Sequence, residues 1–396
     1  MTKPCLKAFK FRIYPNKVER TFFARQFGCN RFAFNYMLEH NNTLYKEEKK
    51  HLGYFEMTAL LPALKKQEQT KWLAEVNAQS LQLAVKDLDT AFKRFFDKKS
   101  ERPTFKTKHD RQCFKVAQDF KFENGKLWLP KLKTWIKVKV SREVIGKILY
   151  LHISKTVTGK YYVSFTVSGT NETFAPTGKS IGLDLGIKDA AILSDGTRYE
   201  NIKTLSKFEK KLKYAQRQLS KKQKGSKAKE RQRRKVAILH EKIKHLRHDH
   251  IEKLTTDIIK NNDKIFCEDL AVKNMVKNHK LAKSLSDVSL GSIGAKLEYK
   301  AEWHGRVFLK VGRFFPSSKT CSSCGWIKED LTLKDRAWTC QLCDSHHDRD
   351  INAAKNILAE GLKKLKDLSV CGAHSDNKQK QGETPSLEEP MTPEKP

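Results

Sequence analysis

The sequence predicts an α/β multidomain protein. Its 396 residues are enough for roughly two to four modules with cores of their own. Apolar residues alternate near the N-terminus, then recur at helical spacing, then alternate again, so the pattern predicts strands on both sides of a helical region. Near the C-terminus, two C-x2-C pairs between Cys321 and Cys343 are separated by fifteen residues, which is zinc-ribbon spacing.

The first part of the chain is predicted to form a small β-barrel interrupted by helices. Residues 1–15 are assigned to the barrel because residues 6–15 alternate apolar and basic side chains and end at Pro15, which indicates an edge-type strand. Residues 16–104 carry apolar and aromatic side chains at helical spacing, a stripe more typical of a core than of a stacking platform. Residues 105–175 return to alternating strands, with turn signals such as Asn124-Gly125 between them.

The later part is predicted to form an α/β domain over residues 179–316 and 345–370, with the ribbon inserted at 317–344. It begins with a buried hairpin over residues 181–187 and 190–193, followed by an Asp195-Gly196 turn. The last residues, 371–396, contain four prolines and five Asp/Glu against three Lys, with few apolar residues. We therefore expect a disordered tail.

Residues 203–262 are predicted to form a basic helical hairpin that breaks at Gly225-Ser226. Residues 201–250 contain 18 Lys/Arg and 4 Asp/Glu. A solvated face accounts for part of this excess. A hairpin that lies along a phosphate backbone accounts for it better.

The overall charge points to a nucleic-acid partner. Lys and Arg number 79 against 45 Asp and Glu, a formal net charge of +34. Self-repulsion at this charge opposes a compact fold unless a polyanion offsets it. No stretch of 18 apolar residues is long enough for a membrane span, and no signal peptide is evident. The nine cysteines fit zinc in a reducing compartment better than disulfides, so we expect a cytoplasmic, nucleoid-associated protein.

The cysteine pairs predict a structural zinc site. Four thiolates at this spacing are tetrahedral Zn²⁺ ligands, and a complete set lacks the open position that catalytic zinc keeps. The adjacent histidines are then expected near the site or facing phosphate rather than as ligands. The ligands are Cys321, Cys324, Cys340 and Cys343, and the histidines are His346 and His347.

Three carboxylates have contexts that suggest a second metal site. Asp184 lies within an apolar strand between glycines, Glu268 ends another apolar strand, and Asp350 begins a helix. Buried acids that converge repel one another, and Mg²⁺ relieves that repulsion. Taken singly, each has an ordinary alternative: a turn acid, the polar end of a strand, and a first-turn acid favoured by the helix dipole.

Four segments together resemble TnpB, the OrfB-type protein family of bacterial insertion sequences. They are Gly182-Leu183-Asp184-Leu185-Gly186-Ile187-Lys188, Glu268-Asp269-Leu270, the run Phe315 to Gly325, and the run His347 to Ala354. The resemblance extends from the first strand to about residue 370. It implies an RNA-guided DNA endonuclease, ancestral to type V CRISPR effectors, with an RNase H-like RuvC nuclease domain, an inserted zinc ribbon, a wedge β-barrel and an inserted helical recognition lobe.

The resemblance also implies the roles of the acids and the partners. Asp184, Glu268 and Asp350 would hold two Mg²⁺ ions, or Mn²⁺, with Asp184 bridging both, and a metal-bound water would attack the target phosphodiester in line. The partners would be a guide RNA from the element end and double-stranded target DNA beside a short motif, with one protein monomer on one RNA.

Two further residues are candidates for reading bases. In relatives, the region of residues 72–80 lies near the target-adjacent motif, and the amides of Asn77 and Gln79 suit adenine edges. Helix capping explains them equally well. Asp344 stands where the family usually has a glycine, a departure that touches no proposed ligand.

Two other functions stay open from the sequence. A DNA transposase would also use three acids and divalent metal but would join DNA ends without RNA. A catalytically inactive RNA-guided repressor would bind the same target and leave it intact, although the complete acid set argues against this.

Overall fold

The computed structural model describes residues 5–169, 173–332 and 334–376. Two compact units are present: residues 1–170 with 221–238, and residues 171–220 with 239–396. Among the described residues, no helix has both the length and the apolarity needed to cross a bilayer.

The first unit contains a seven-stranded sheet in the order β2-β6-β7-β1-β5-β4-β3. Its strands are β1 (Cys5–Ile13), β2 (Gln112–Val116), β3 (Lys121–Glu123), β4 (Lys126–Trp128), β5 (Trp135–Lys139), β6 (Lys147–Lys155) and β7 (Tyr161–Gly169). All the strand pairs are antiparallel. The strands therefore fall where the sequence pattern predicted them.

The sheet curls into a half-barrel. Residues from β1 to β7 share one buried cluster, and the rings of Phe122 on β3 and Phe165 on β7 lie 4.6 Å apart between centroids. Among the described strands, β2 and β3 remain the two edges. A half-barrel thus replaces the predicted barrel.

The prediction that the first strand is an edge strand is wrong. β1 lies inside the sheet, paired with β7 on one side and β5 on the other. Pro15, on which the prediction relied, lies two residues beyond the end of β1. Its missing N–H therefore removes no bond from the ladder.

The helices of the first unit are inserted between β1 and β2, as predicted. They are α1 (Lys17–Glu48), α2 (Tyr54–Lys66), a short 3₁₀ helix (Lys71–Glu75) and α3 (Ala78–Phe96). α1 begins with a capping box in which Asn16 Oδ1 accepts from the N–H of Glu19 at 2.9 Å and Glu19 Oε2 accepts from the N–H of Asn16 at 2.7 Å. Phe23 and Phe27 of α1 pack into the concave face of the half-barrel, so the aromatic stripe is core.

The second unit contains a mixed five-stranded sheet in the order β10-β9-β8-β11-β12. Its strands are β8 (Ser180–Asp184), β9 (Asp189–Leu193), β10 (Arg198–Glu200), β11 (Lys264–Glu268) and β12 (Val307–Val311). β8 and β9 form the predicted buried hairpin. β11 runs parallel to both β8 and β12, so the carboxyl ends of these strands lie at one edge of the sheet.

The remaining helices are α4 (Thr204–Ser220), α5 (Lys227–Asn261), α6 (Val272–Met275), α7 (His279–Val288), α8 (Leu290–Trp303) and α9 (Arg349–Asp376). α4 and α5 form the predicted basic pair. The prediction assigned all of residues 203–262 to the second domain, but residues 221–238 belong to the first compact unit. The break at Gly225 marks the turn between the helices, not a domain boundary.

The C-terminal part departs from prediction in one respect. α9 continues to Asp376, so residues 371–376 of the predicted disordered tail are helical. Residues 377–396 lie outside the described part of the chain. Between β12 and α9, a small module around the four cysteines includes the antiparallel strands β13 (Ala337–Thr339) and β14 (His346–Asp348).

Candidate active site and cysteine centre

Two of the three predicted acids end neighbouring parallel strands. β8 and β11 pair in a register that matches Leu183 with Cys267, and Asp184 and Glu268 follow these two residues directly. Both strands are buried because their apolar side chains form the core of the second unit. Parallel strands with equal register therefore present the two carboxylates side by side at one sheet edge.

The third acid is delivered by α9, which crosses the sheet at very close range. A Cβ on Gly182 of β8 would lie 2.1 Å from the carbonyl oxygen of Ala354 on α9. A Cβ on Gly361 of α9 would lie 2.3 Å from the ring of Phe266 on β11. The two glycines thus permit α9 to lie directly on β8 and β11. This confirms that a glycine beside Asp184 serves close backbone approach.

Asp350 lies in the first turn of α9. The side chain of Asp348 caps this helix, because its Oδ1 accepts from the N–H groups of Asp350 and Ile351 at 3.1 Å each. The Asp350 carboxylate makes a long ion pair with Arg336, with 3.9 Å between Oδ2 and Nη1.

The electrostatics indicate that the three acids act on one another. Burial, together with the negative charges of Glu268 and Asp350, raises the pKa of Asp184 to about 7, while the positive charge of Arg349 opposes the rise. Like charges disfavour ionisation of a carboxyl only at short range, so Glu268 and Asp350 both lie near Asp184. The fold therefore holds three acids together at a cost that a bound cation would relieve.

Glu268 has a partner that sequence reasoning missed. The hydroxyl of Ser317 donates to Glu268 Oε1 at 2.5 Å, and Ser317 itself is buried. Ser317 stands in the Pro316-Ser317-Ser318 run that contributes to the family resemblance, but its contact with Glu268 joins residues 49 apart and follows only from the tertiary fold.

A groove of about 450 Å³ opens beside Glu268. Asp269, Gly294 and Arg313 are among its lining residues. Arg313 is anchored there by Asp269, with 2.6 Å between Nη2 and Oδ2. Of the three acids, Glu268 is the one that lines this groove.

The four cysteines converge as predicted. Their Sγ atoms all lie within 4.8 Å of one another, with 3.7 Å between Cys321 and Cys343 and 3.6 Å between Cys324 and Cys340. Four thiolates about 2.3 Å from one ion would lie about 3.8 Å apart at tetrahedral geometry. The cluster thus has the dimensions of a zinc site.

The histidines near the cluster take different positions. His347 Nε2 lies 3.0 Å from Cys321 Sγ, and the His347 ring packs on Trp338. His346 is exposed and contacts the hydroxyl of Thr339 at 3.1 Å. Asp344, the departure from the usual glycine, has φ +53°, a left-handed conformation that aspartate tolerates better than most residues.

The two candidate base-reading residues lie in the first unit. Asn77 caps α3, with its Oδ1 accepting from the N–H of Ser80 at 3.0 Å, and is buried. Capping, the alternative for this residue, is thus what the structure contains. Gln79 is half-buried, and its amide nitrogen donates to Gln118 Oε1 at 2.8 Å.

The fold and the site together define an α/β protein with two carboxylates at the ends of neighbouring parallel strands, a third at the start of α9, and a separate four-cysteine centre. Three family profiles match parts of the chain. They are described as "Probable transposase" (OrfB_IS605, residues 160–279), "Cas12f1-like, TNB domain" (residues 291–357) and "Helix-turn-helix domain" (HTH_OrfB_IS605, residues 1–50). Within the last range, the described residues form β1 and the single long helix α1.

Two proteins named "Putative RNA-guided DNA endonuclease" match nearly the whole chain. One, from Streptomyces pristinaespiralis, is 36% identical over 94% of this chain and 92% of its own length. The other, InsQ of Escherichia coli (strain K12), is 34% identical over 90% of this chain and 92% of its own. A "TnpB-like protein" of Acanthamoeba polyphaga mimivirus, L79, is 28% identical over 53% of this chain and 44% of its own.

The chain belongs to the OrfB/TnpB family of RNA-guided DNA endonucleases. A solved structure titled "Cryo-EM structure of the Cas12f1-sgRNA-target DNA complex" supports the fold. It aligns with a TM-score of 0.55 at 15% sequence identity, over 89% of this chain and 98% of the other.

Proposed function

We propose that this protein is an RNA-guided DNA endonuclease associated with a transposable element, which hydrolyses target DNA next to a short motif. The observation that carries the proposal is the pairing of β8 and β11, which ends at Asp184 and Glu268, with Asp350 of α9 near enough for its charge to raise the pKa of Asp184. A catalytically inactive repressor would not need an acid set that the fold holds together at an electrostatic cost.

The second unit is the proposed RuvC-like, RNase H-type nuclease domain. In support, its mixed sheet brings the carboxyl ends of β8 and β11 together, and α9 lies across both strands. The first unit supplies the proposed wedge, from its half-barrel sheet, and the proposed recognition lobe, from α1 to α3.

Asp184, Glu268 and Asp350 are the proposed Mg²⁺ ligands. Carboxylate oxygens are what this ion prefers, and the raised pKa of Asp184 is the behaviour of an acid set that lacks its counter-charge. Two ions are proposed. When bound, they supply Lewis-acid activation of water and stabilisation of the leaving oxygen. Asp184, whose pKa both other acids help to raise, would hold the ions together with Glu268 and Asp350.

The four cysteines are the proposed ligands of one structural Zn²⁺. The donor set is complete and its sulfur separations match a tetrahedral site. His347 supports the site from outside by contact with Cys321 Sγ. We assign no chemistry to this centre beyond folding the module around it.

The polyanionic partners are a guide RNA and the target DNA. The net charge of +34 and the 18 Lys/Arg within residues 201–250 support this assignment. Since contacts of lysine and arginine with phosphates release counterions, we expect binding to weaken steeply with salt.

The test is to purify the protein from cells that carry its own element and to sequence the RNA that copurifies. The complex is then given Mg²⁺ and a library of targets with randomised flanks. We expect one defined RNA species and cleavage limited to matched targets beside one short motif. The mass of the complex reports whether one protein binds one RNA.

Other outcomes would identify the rival functions. Strand transfer by protein that carries no RNA would establish a transposase. Binding of the matched target with no cut at any Mg²⁺ concentration would establish a repressor.

A further inference from the structure

The segment that leads into the cysteine cluster is fastened to α9 by two buried asparagines. Asn352 and Asn356 lie four residues apart, so they occupy one face of the helix. Both amide nitrogens donate to the carbonyl oxygen of Thr320, at 2.7 Å from Asn352 and 2.6 Å from Asn356. Thr320 is the residue before the first cysteine of the cluster.

Each asparagine makes a second bond to the same segment. Asn352 Oδ1 accepts from the N–H of Ser322 at 2.9 Å, and the Asn356 amide also donates to the carbonyl oxygen of Ser317 at 2.7 Å. The two side chains are 1% and 6% exposed, respectively. Because a buried amide that loses its partners costs free energy, this face of α9 fixes the path of residues 317–322.

The same segment holds Glu268. The main chain of Ser317 is bonded to Asn356, and its hydroxyl donates to Glu268 Oε1. A hydroxyl at 2.5 Å from a carboxylate oxygen makes a charge-assisted bond that selects one orientation of the carboxylate. α9 thus carries Asp350 itself and, through Asn356 and Ser317, orients Glu268.

We propose that Ser317 is a positioning residue for Glu268, and that Asn352 and Asn356 link its position to the folded cysteine cluster. The cysteine cluster would then fix one end of residues 317–322, while Ser317 at the other end orients Glu268. This inference rests on the proposed role of Glu268 as a Mg²⁺ ligand. Groups that orient metal ligands are typically worth about 10–100-fold in metal affinity or activity.

The first test compares Ser317→Ala with Ser317→Thr and with Ser318→Ala as the matched control. Ser317→Thr keeps the hydroxyl, and Ser318 is the neighbouring serine outside this network. In the complex with guide RNA, we expect Ser317→Ala to raise the Mg²⁺ concentration for half-maximal cleavage by roughly 10-fold or more. Ser317→Thr should recover most of this loss, and Ser318→Ala should match the unsubstituted protein.

Two further readouts separate positioning from general damage. The zinc content of Ser317→Ala and its binding of matched target in Ca²⁺ should be unchanged. The Ser317→Ala chain without RNA should bind Mn²⁺ more weakly. This affinity is measured by titration, with free Mn²⁺ followed by electron paramagnetic resonance. An unchanged Mg²⁺ midpoint together with an unchanged Mn²⁺ affinity would overturn the proposal.

A Glu268→Ala arm distinguishes this inference from the proposed function. If Ser317 acts through Glu268, adding Ser317→Ala to Glu268→Ala should cause no further loss of Mn²⁺ affinity. Cleavage at the normal rate by Glu268→Ala would remove the proposed function itself. An inactive Glu268→Ala beside a fully normal Ser317→Ala would remove only the positioning role.

Asn356→Ala tests the link to the cysteine cluster. With zinc retained, we expect its Mg²⁺ midpoint to shift in the same direction as that of Ser317→Ala. A normal Mg²⁺ midpoint in a zinc-loaded Asn356→Ala protein would contradict the role of Asn356. The positioning role of Ser317 would then be judged by its own variants.

Discussion

The second unit contains two candidate metal centres that are built in opposite ways. The four cysteines come from two short turns within 23 residues of sequence, and their sulfurs already stand at tetrahedral separations. The three acids are more than eighty residues apart from one to the next, and they meet only because α9 packs on β8 and β11. One centre is local and the other depends on the tertiary fold.

The acid centre also carries an electrostatic cost. Burial and two neighbouring acids raise the pKa of Asp184, so negative charge is disfavoured at the acid centre. The cysteine cluster organises its own module and the segment that reaches Glu268. The local cysteine centre can therefore support the acid centre that the tertiary fold assembles.

Asp350→Asn should lower the cleavage rate on the order of 1000-fold, since it removes a ligand whose metal is worth several kcal/mol in the transition state. Asp348→Asn is the matched control, because Asp348 caps α9 and pairs with Arg198 at 2.7 Å. We expect that control to lose stability rather than chemistry. Single-turnover rates at saturating Mg²⁺, read beside melting temperatures, separate the two. Equal rates for the two variants would contradict the assignment of Asp350.

Cys340→Ser should remove the zinc and unfold the module around it, because a structural zinc site supplies much of the folding free energy of so small a module. The expected readouts are zinc content by atomic emission and new protease cleavage within residues 317–344. Cleavage of target DNA should fall as well, since Ser317 then loses its fixed position. Full zinc occupancy in this variant would contradict the four-cysteine assignment.

Gly182→Ala should destabilise the packing of α9 on β8 by about 1–3 kcal/mol, because the new Cβ would lie 2.1 Å from the Ala354 carbonyl oxygen. Gly294→Ala in α8 is the matched control. A Cβ there meets no atom within 4 Å, and alanine favours a helix interior over glycine by about 0.5–1 kcal/mol. Denaturant unfolding should therefore move the two variants in opposite directions. A neutral Gly182→Ala would show that the close crossing is not needed.

The smallest expected effects concern α3. Asn77→Ala should cost about 1 kcal/mol of stability through the lost cap. Gln79→Ala should leave stability within about 0.5 kcal/mol, because Gln79 is only half-buried and its amide bonds to the exposed Gln118. If Gln79 reads a base, its loss should relax the preferred target-adjacent motif by about 1–3 kcal/mol at one position. An unchanged motif in the library assay would remove Gln79 from the recognition surface.

The difference between the two centres also explains what the sequence could predict. The cysteine cluster followed from spacing, and each acid was placed correctly on its strand or helix by local pattern. Ser317, Asn352 and Asn356 were missed because their bonds join residues that are 30 to 49 positions apart. A polar side chain in a loop or helix carries no signal of such a partner.

The errors in the sequence prediction have the same origin. Pro15 indicated an edge strand, but the role of β1 is set by its partners β5 and β7. The basic hairpin was correctly located, yet its division between two units depends on packing that periodicity does not encode.

The most direct test of the account is cleavage of a matched target by Asp184→Ala in complex with guide RNA and Mg²⁺. Since Asp184 is the acid that both of the others influence, the account predicts normal binding of RNA and target and a loss of cleavage of at least roughly 1000-fold. Cleavage at the rate of the unsubstituted protein would contradict it.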